Sequence, residues 1–156
     1  MQINGQQVIS FASYLQKEKR YSKNTVEAYK FELRRFDSRI KKNFLEVSTN
    51  DIQDFILFLR AKNLSTRSIH RAASALRSFY QHLKNKSLLA QNPASHLRLP
   101  KHTRKLPVLL DTDQTAKLLE FVPEKGIEFR DKAIIELLYG CGVRLTELVS
   151  LNIEDV

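Results

Sequence analysis

Apolar residues recur at steps of three and four along the first half of the chain, and this period predicts four helices. The first runs from Val8 to about Lys19. The second opens at Ser22, a residue suited to an N-cap, and carries Val26, Tyr29, Leu33, Phe36 and Ile40 on one stripe. The third follows Ser48-Thr-Asn-Asp51, which has capping-box spacing. Its Ile52, Phe55, Ile56, Leu57, Phe58 and Leu59 are apolar nearly all round, so it is expected at the centre of a bundle. The fourth opens at Ser65 and repeats the stripe with Ile69, Ala72, Leu76, Phe79 and Leu83.

Pro100 and Pro107 then bracket Lys101, His102, Arg104 and Lys105. Proline lacks an amide donor and fixes its own backbone, so residues 99–110 are expected to be an extended basic linker. Asp111-Thr-Asp-Gln114 starts a fifth helix, Phe129 to Tyr139 forms a sixth that ends at Gly140 and Gly142, and a short seventh follows Arg144. The expected division is a helical domain over 1–98, the linker, and a second segment over 111–156. Four glycines and four prolines are few for 156 residues, which fits a chain built of helices.

Charge sharpens that division. Residues 1–105 hold 21 Lys and Arg against 7 Asp and Glu, a net of +14, whereas residues 106–156 hold 5 against 10, a net of −5. Polyanion binding therefore belongs to the first two thirds. On helix four the residues opposite the apolar stripe are Arg67, His70, Arg71, Ser74, Arg77, Ser78 and Gln81, and no acidic residue occurs between Asp54 and Asp111. Solvated helices normally mix both signs so that side chains pair along the helix. An unmixed row of Arg, His, Ser and Gln suits phosphates and base edges instead. Lys23, Lys30 and Arg34 form a weaker basic flank on helix two, with Glu27 among them. With no RNP-like aromatic strand and no stacking platform, duplex DNA is the expected partner rather than RNA. The linker residues Lys101, Arg104 and Lys105 would serve a chain crossing the DNA backbone.

Other chemistry is poorly supported. The four histidines and Cys141 have no metal-ligand spacing, no Gly-rich phosphate loop occurs, and neither a metal nor a cofactor is expected. The longest apolar run, Phe55 to Leu59, is too short to span a bilayer, and MQINGQQ does not read as a signal peptide. A lone Cys141 fits a reducing, cytoplasmic setting and is expected to be a small buried thiol.

Four stretches together carry a resemblance. They are Phe11-Ala-Ser-Tyr-Leu15 with Tyr21-Ser-Lys-Asn-Thr-Val-Glu-Ala-Tyr29; Ser65 through Tyr80; Asn92-Pro-Ala94 with Arg104-Lys-Leu-Pro107; and Asp131 through Leu148, which contains Gly142-Val-Arg-Leu-Thr-Glu-Leu148. The chain resembles the N-terminal part of a tyrosine recombinase of the Xer or phage-integrase kind. The resemblance implies a mainly α chain: a four-helix, SAM-like core-binding domain, a linker, and the truncated helical start of an α/β catalytic domain. It implies that Arg144 matches the first catalytic arginine, holding the scissile phosphate, with Glu147 in support. It also implies strand cleavage and rejoining through a 3′-phosphotyrosyl intermediate, without metal, by a homo- or heterotetramer on DNA in the nucleoid. The five tyrosines (14, 21, 29, 80, 139) all precede Arg144 at positions that look like bundle packing, so the rest of the site is expected beyond residue 156. A non-catalytic DNA-binding protein that regulates or occludes sites is the alternative.

Overall fold

The computed structural model describes residues 2–101 and 109–155, apart from the side chains of residues 2, 3 and 153. Two compact units divide the chain, Met1–Arg104 and Lys105–Val156. The first contains α1 (Gln2–Lys17), α2 (Lys23–Ile40), a 3-10 turn (Phe44–Glu46), α3 (Thr49–Ala61) and α4 (Thr66–Asn85). The second contains α5 (Thr112–Leu119), α6 (Gly126–Gly140), α7 (Leu145–Ser150) and a closing 3-10 turn (Ile153–Asp155). No strand occurs among the described residues, and the chain is helical as its periodicity predicts.

Local chemistry sets the helix ends. The hydroxyls of Ser22 and Ser65 accept from the amides of Thr25 and Ser68 at 3.3 and 3.2 Å. At α3 the box is complete: Ser48 Oγ accepts from the Asp51 amide while Asp51 Oδ2 accepts from the Ser48 amide. The C-termini share one device. Arg20, Lys41, Asn63 and Ser87 all take a left-handed backbone with φ between 49° and 58°. The following amides then reach back, Tyr21 to Leu15 O, Leu64 to Leu59 O and Leu88 to Leu83 O. Glycine usually fills such positions, so this part of the chain stops its helices without it.

Helix α1 begins well before Val8. Asn4 anchors its first turn: Nδ2 donates to Asp37 Oδ1 at 2.6 Å and to Lys42 O at 2.9 Å, and Oδ1 accepts from the Phe44 amide at 3.0 Å. These tertiary bonds hold a helix start that lies ahead of the expected Val8. The core gathers Phe11, Leu33, Phe36, Phe44, Ile52, Phe55, Ile69, Leu76 and Phe79. Phe79 meets Phe11 and Phe44 edge-on, with ring centroids 5.4 and 5.1 Å apart. The expected central place of α3 is corrected. Helix α2 packs closely against α1, α3 and α4, whereas α3 packs mainly against α2 and α4. The outward residues of α3 are therefore not enclosed. Leu57 is 53% exposed, and Phe58 is half-buried beside the Arg39 guanidinium, 5.0 Å from its ring centre.

After α4 the chain returns along the bundle as a strap. Ala94 and Leu97 are buried in the core, and Gln53 exchanges two hydrogen bonds with the Arg98 backbone at 3.1 and 3.2 Å.

The second unit has no buried residue among those described. Many of its apolar side chains, including Leu118, Phe121, Phe129, Leu138 and Val149, are exposed. Lys132 of α6 ties the unit together by donating to Leu119 O and Phe121 O at the end of α5. Cys141 is exposed, contrary to expectation, because it caps the C-terminus of α6 where the chain turns out of the helix. Tyr139 is likewise exposed, and Tyr21 is exposed with its ring set edge-on to Tyr29, centroids 6.2 Å apart.

Candidate nucleic-acid interface

The polar face of α4 divides along its length. Its N-terminal half stays open: Arg67, Arg71 and Ser74, at i, i+4 and i+7, are exposed. Its C-terminal half is engaged by the strap. Arg77 donates from Nε to Ala94 O at 3.2 Å and from NH2 to Leu97 O at 3.4 Å, while Asn92 Nδ2 donates to Arg77 O at 3.1 Å. Gln81 is bonded to Asn85 and Asn92. Arg77 is thus a fastener of the strap. His70 is half-buried, with Nε2 2.8 Å from Pro100 O. That contact starts the exposed Lys101 beside the open half of α4, so a linker residue and the helix face come together. Arg104 and Lys105 lie outside the described residues.

The basic flank of α2 is separate. At about 100° per residue, Lys23, Lys30 and Arg34 lie on the side of α2 opposite Glu32, which bonds to Arg71 of α4. Lys23 and Arg34 are exposed. Lys30 Nζ is 2.7 Å from Glu27 Oε1, and this bond, ahead of the fields of Lys30, Arg34 and Lys23, lowers the Glu27 pKa.

The contact of Glu32 with α4 is a feature that the hydrophobic pattern did not reveal. Glu32 is fully buried, and its Oε1 accepts from Arg71 Nε at 3.2 Å. Its Oε2 lies 2.6 Å from Arg35 NH2, an ion pair whose angles do not make a hydrogen bond. The Arg35 guanidinium is held between the Phe31 and Phe55 rings, 5.7 and 6.0 Å from their centres. A signal was present in the sequence: an acidic residue next to Leu33 and four before Phe36, at the edge of the apolar stripe, with an arginine three residues on.

At the far end, Gly142 takes φ +61°, a left-handed conformation natural to glycine, and turns the chain from α6 into Arg144. One carboxylate organises the next turn. Glu147 Oε2 accepts from the Arg144 amide and Oε1 from Arg144 NH1, both at 2.8 Å. These two bonds, the backbone one foremost, hold the Glu147 pKa below its ordinary value. The Arg144 side chain is 82% exposed, so the guanidinium is presented to solvent with one edge fixed. No cluster of three or more His, Cys, Asp or Glu among the described residues could hold a metal, and no described helix is long and apolar enough to cross a membrane.

The chain thus joins a four-helix unit with a basic helix face to a glycine turn that leads into an arginine held by Glu147. Two family models match: the phage integrase N-terminal SAM-like domain over residues 8–87, and the phage integrase family over residues 109–156. The chain belongs to the phage integrase family, the tyrosine recombinases. It is 41% identical over 147 residues to the tyrosine recombinase XerC of Shewanella amazonensis, covering 94% of this chain and 50% of that protein. It is 35% identical over 151 residues to the tyrosine recombinase XerD of Oceanobacillus iheyensis, covering 94% and 51%. The crystal structure of XerA recombinase superposes with a TM-score of 0.53 at 30% identity, over 98% of this chain and 51% of that one. The chain spans about half the length of the relatives it matches.

Proposed function

We propose that this chain supplies duplex DNA binding and one corner of the phosphate site in a site-specific recombinase. The observation that carries this is the open half of α4, where Arg67, Arg71 and Ser74 share one exposed face in a member of the phage integrase family. Lys101 extends that basic surface, and Lys23 and Arg34 provide a second contact on another side of the bundle. Arginine at i and i+4 can hold two phosphates, or a phosphate and a guanine edge, along one groove. The exposed fork of Arg144, steadied by Glu147, would hold non-bridging oxygens of the scissile phosphate as charge develops there. Intact, such a protein would cleave and rejoin strands through a phosphotyrosyl link, as a homo- or heterotetramer on its DNA.

The test is fluorescence anisotropy with a mixed-sequence duplex across a salt series. Replacing Arg67 and Arg71 together by alanine should weaken binding and reduce the log–log salt slope by about 0.9 per lost phosphate contact. Unchanged affinity and slope would assign this face to solvent. For Arg144, a nicked suicide substrate distinguishes the roles. The 156-residue chain should bind it without a covalent adduct, whereas a version extended to the full length of its relatives should give a denaturant-resistant band. Arg144→Ala in that longer protein should remove most of the band and leave binding nearly intact. Absence of any band from the longer protein would favour a non-catalytic regulator.

A further inference from the structure

We infer that Glu32 is a positioning residue for DNA contact: from the interior of the bundle it holds Arg71 by the Nε edge, so that the terminal NH1 and NH2 face a phosphate or a guanine edge already oriented. The inference rests on the DNA-contact role proposed for α4 and assigns that role a specific device. Burial of a lone carboxylate is strongly unfavourable, and a buried glutamate needs a partner. Glu32 takes its hydrogen bond from Arg71 Nε, and its nearest counter-charge is Arg35. It lies one turn along the same helix, 2.6 Å from Oε2, 24% exposed and gripped between Phe31 and Phe55. Neutralisation of Glu32 therefore does not require Arg71.

The geometry points to a different purpose for the second arginine. Arg71 comes from α4, its side chain is 51% exposed, and only Nε is engaged by a protein acceptor among the described residues. A guanidinium offers two flat edges, and here one is tied to Glu32 while the other is left for a ligand. The cluster of two arginines and one glutamate keeps a net positive charge where α4 is open. A long side chain normally loses rotamer freedom when it binds, and a side chain already tethered has less to lose. Arg67, on the same face with no partner among the described residues, is the untethered counterpart within the same helix.

The sign of one substitution separates positioning from simple electrostatics. Glu32→Gln removes a negative charge near a polyanion site, so a bystander glutamate would, on neutralisation, leave affinity equal or make it tighter. A positioning glutamate would instead make it weaker, by roughly three- to tenfold. The salt slope should stay at the wild-type value, because Arg71 still reaches its phosphate. Arg71→Ala should lower the slope by about 0.9.

The experiment is a double-mutant cycle on the 156-residue chain with the mixed-sequence duplex, each variant checked by thermal melting and assayed well below its midpoint. Glu32→Gln should weaken binding in the wild-type background and have little effect in the Arg71→Ala background. Equal loss in both backgrounds would mean that Glu32 acts only through the fold, and tighter or unchanged binding would make it a bystander; either overturns the inference. Where Glu32→Gln does not fold, Glu32→Asp keeps the charge beside Arg35 but withdraws the carboxylate by one methylene. It should weaken binding only when Arg71 is present, and wild-type affinity for it would overturn the inference. An Arg71→Ala protein with wild-type affinity and slope would refute the α4 contact itself, a failure distinct from that of positioning.

Discussion

Arg77→Ala separates the two halves of the α4 face most directly. The side chain donates to Ala94 O at 3.2 Å and to Leu97 O at 3.4 Å, and both residues that present these carbonyls are buried. A hydrogen bond from a charged donor contributes roughly 1.5–3 kcal/mol when well formed. The first bond is of ordinary strength and the second is long, so their joint loss should cost about 2–3 kcal/mol. In a unit of this size each kcal/mol moves the melting midpoint by about 4–8 °C, which predicts a fall of roughly 8–24 °C. Circular dichroism at a helix band, followed with temperature, reads this directly. Arg67→Ala is the control, and as a surface change it should stay within about 0.5 kcal/mol of wild type. Duplex affinity should behave in the opposite way. Measured below its midpoint, Arg77→Ala should keep the wild-type salt slope, whereas a lost phosphate contact would lower it by about 0.9. An unchanged melting point together with a reduced slope would refute the division of the face, because Arg77 would then be reaching DNA rather than the strap.

Four other outcomes follow from the geometry. The Lys42 ammonium, 2.6 Å away and aided by Ser48, holds the Asp51 carboxyl at about 2 against an ordinary 3.8. A depressed pKa in the folded state stabilises above the unfolded value and is lost as pH falls from about 4 to about 2. Asp51→Asn should therefore cost about 1 kcal/mol at neutral pH and almost nothing near pH 2, as read from melts across that range. Tyr80 is buried with its hydroxyl unpartnered among the described residues, and burial raises its pKa. Tyr80→Phe should be neutral or stabilising in a urea melt, and a loss above ~1 kcal/mol would reveal a partner for the hydroxyl. Ser87→Gly, at φ 58°, should relieve left-handed strain and raise stability by up to about 1 kcal/mol; a lower midpoint would contradict it. Hydrogen exchange should be faster in α5 to α7, which bury nothing among the described residues, than in α2 and α4, and equal protection would mean that their apolar faces are covered in solution.

The helices of the first unit were legible because period and caps agree. Ser22, Ser48 and Ser65 start α2, α3 and α4 where their hydroxyls suggest, and Phe36, Leu76 and Phe79 are buried as their stripe requires. What was not legible depends on distant partners. The start of α1 rests on bonds from Asn4 to Asp37, Lys42 and Phe44, some 33 to 40 positions away, and nothing local to Asn4-Gly5 announces them. The misplacement of α3 came from treating an all-round apolar helix as an enclosed one; Leu57 lies outward all the same. The α4 face carries an unmixed basic row in the sequence, but a wheel cannot tell an arginine open to solvent from one fastened to a returning strap or paired with a buried carboxylate. Arg67 and Arg77 differ only in that respect.

The burial of Glu32 also has a consequence for how such a chain can diverge. Glu32, Arg35 and Arg71 form a set that changes as a unit: loss of the carboxylate alone leaves Arg35 without its counter-charge, and loss of both arginines strands a buried anion. Replacement of all three by apolar residues of similar volume removes that frustration and is commonly neutral or stabilising in buried ion clusters. A descendant that drifted along that path would keep its fold, gain robustness and lose its oriented arginine. Across homologous sequences the three positions should therefore co-vary, and a lineage in which all three have turned apolar would have given up or relocated its grip at this point of the helix.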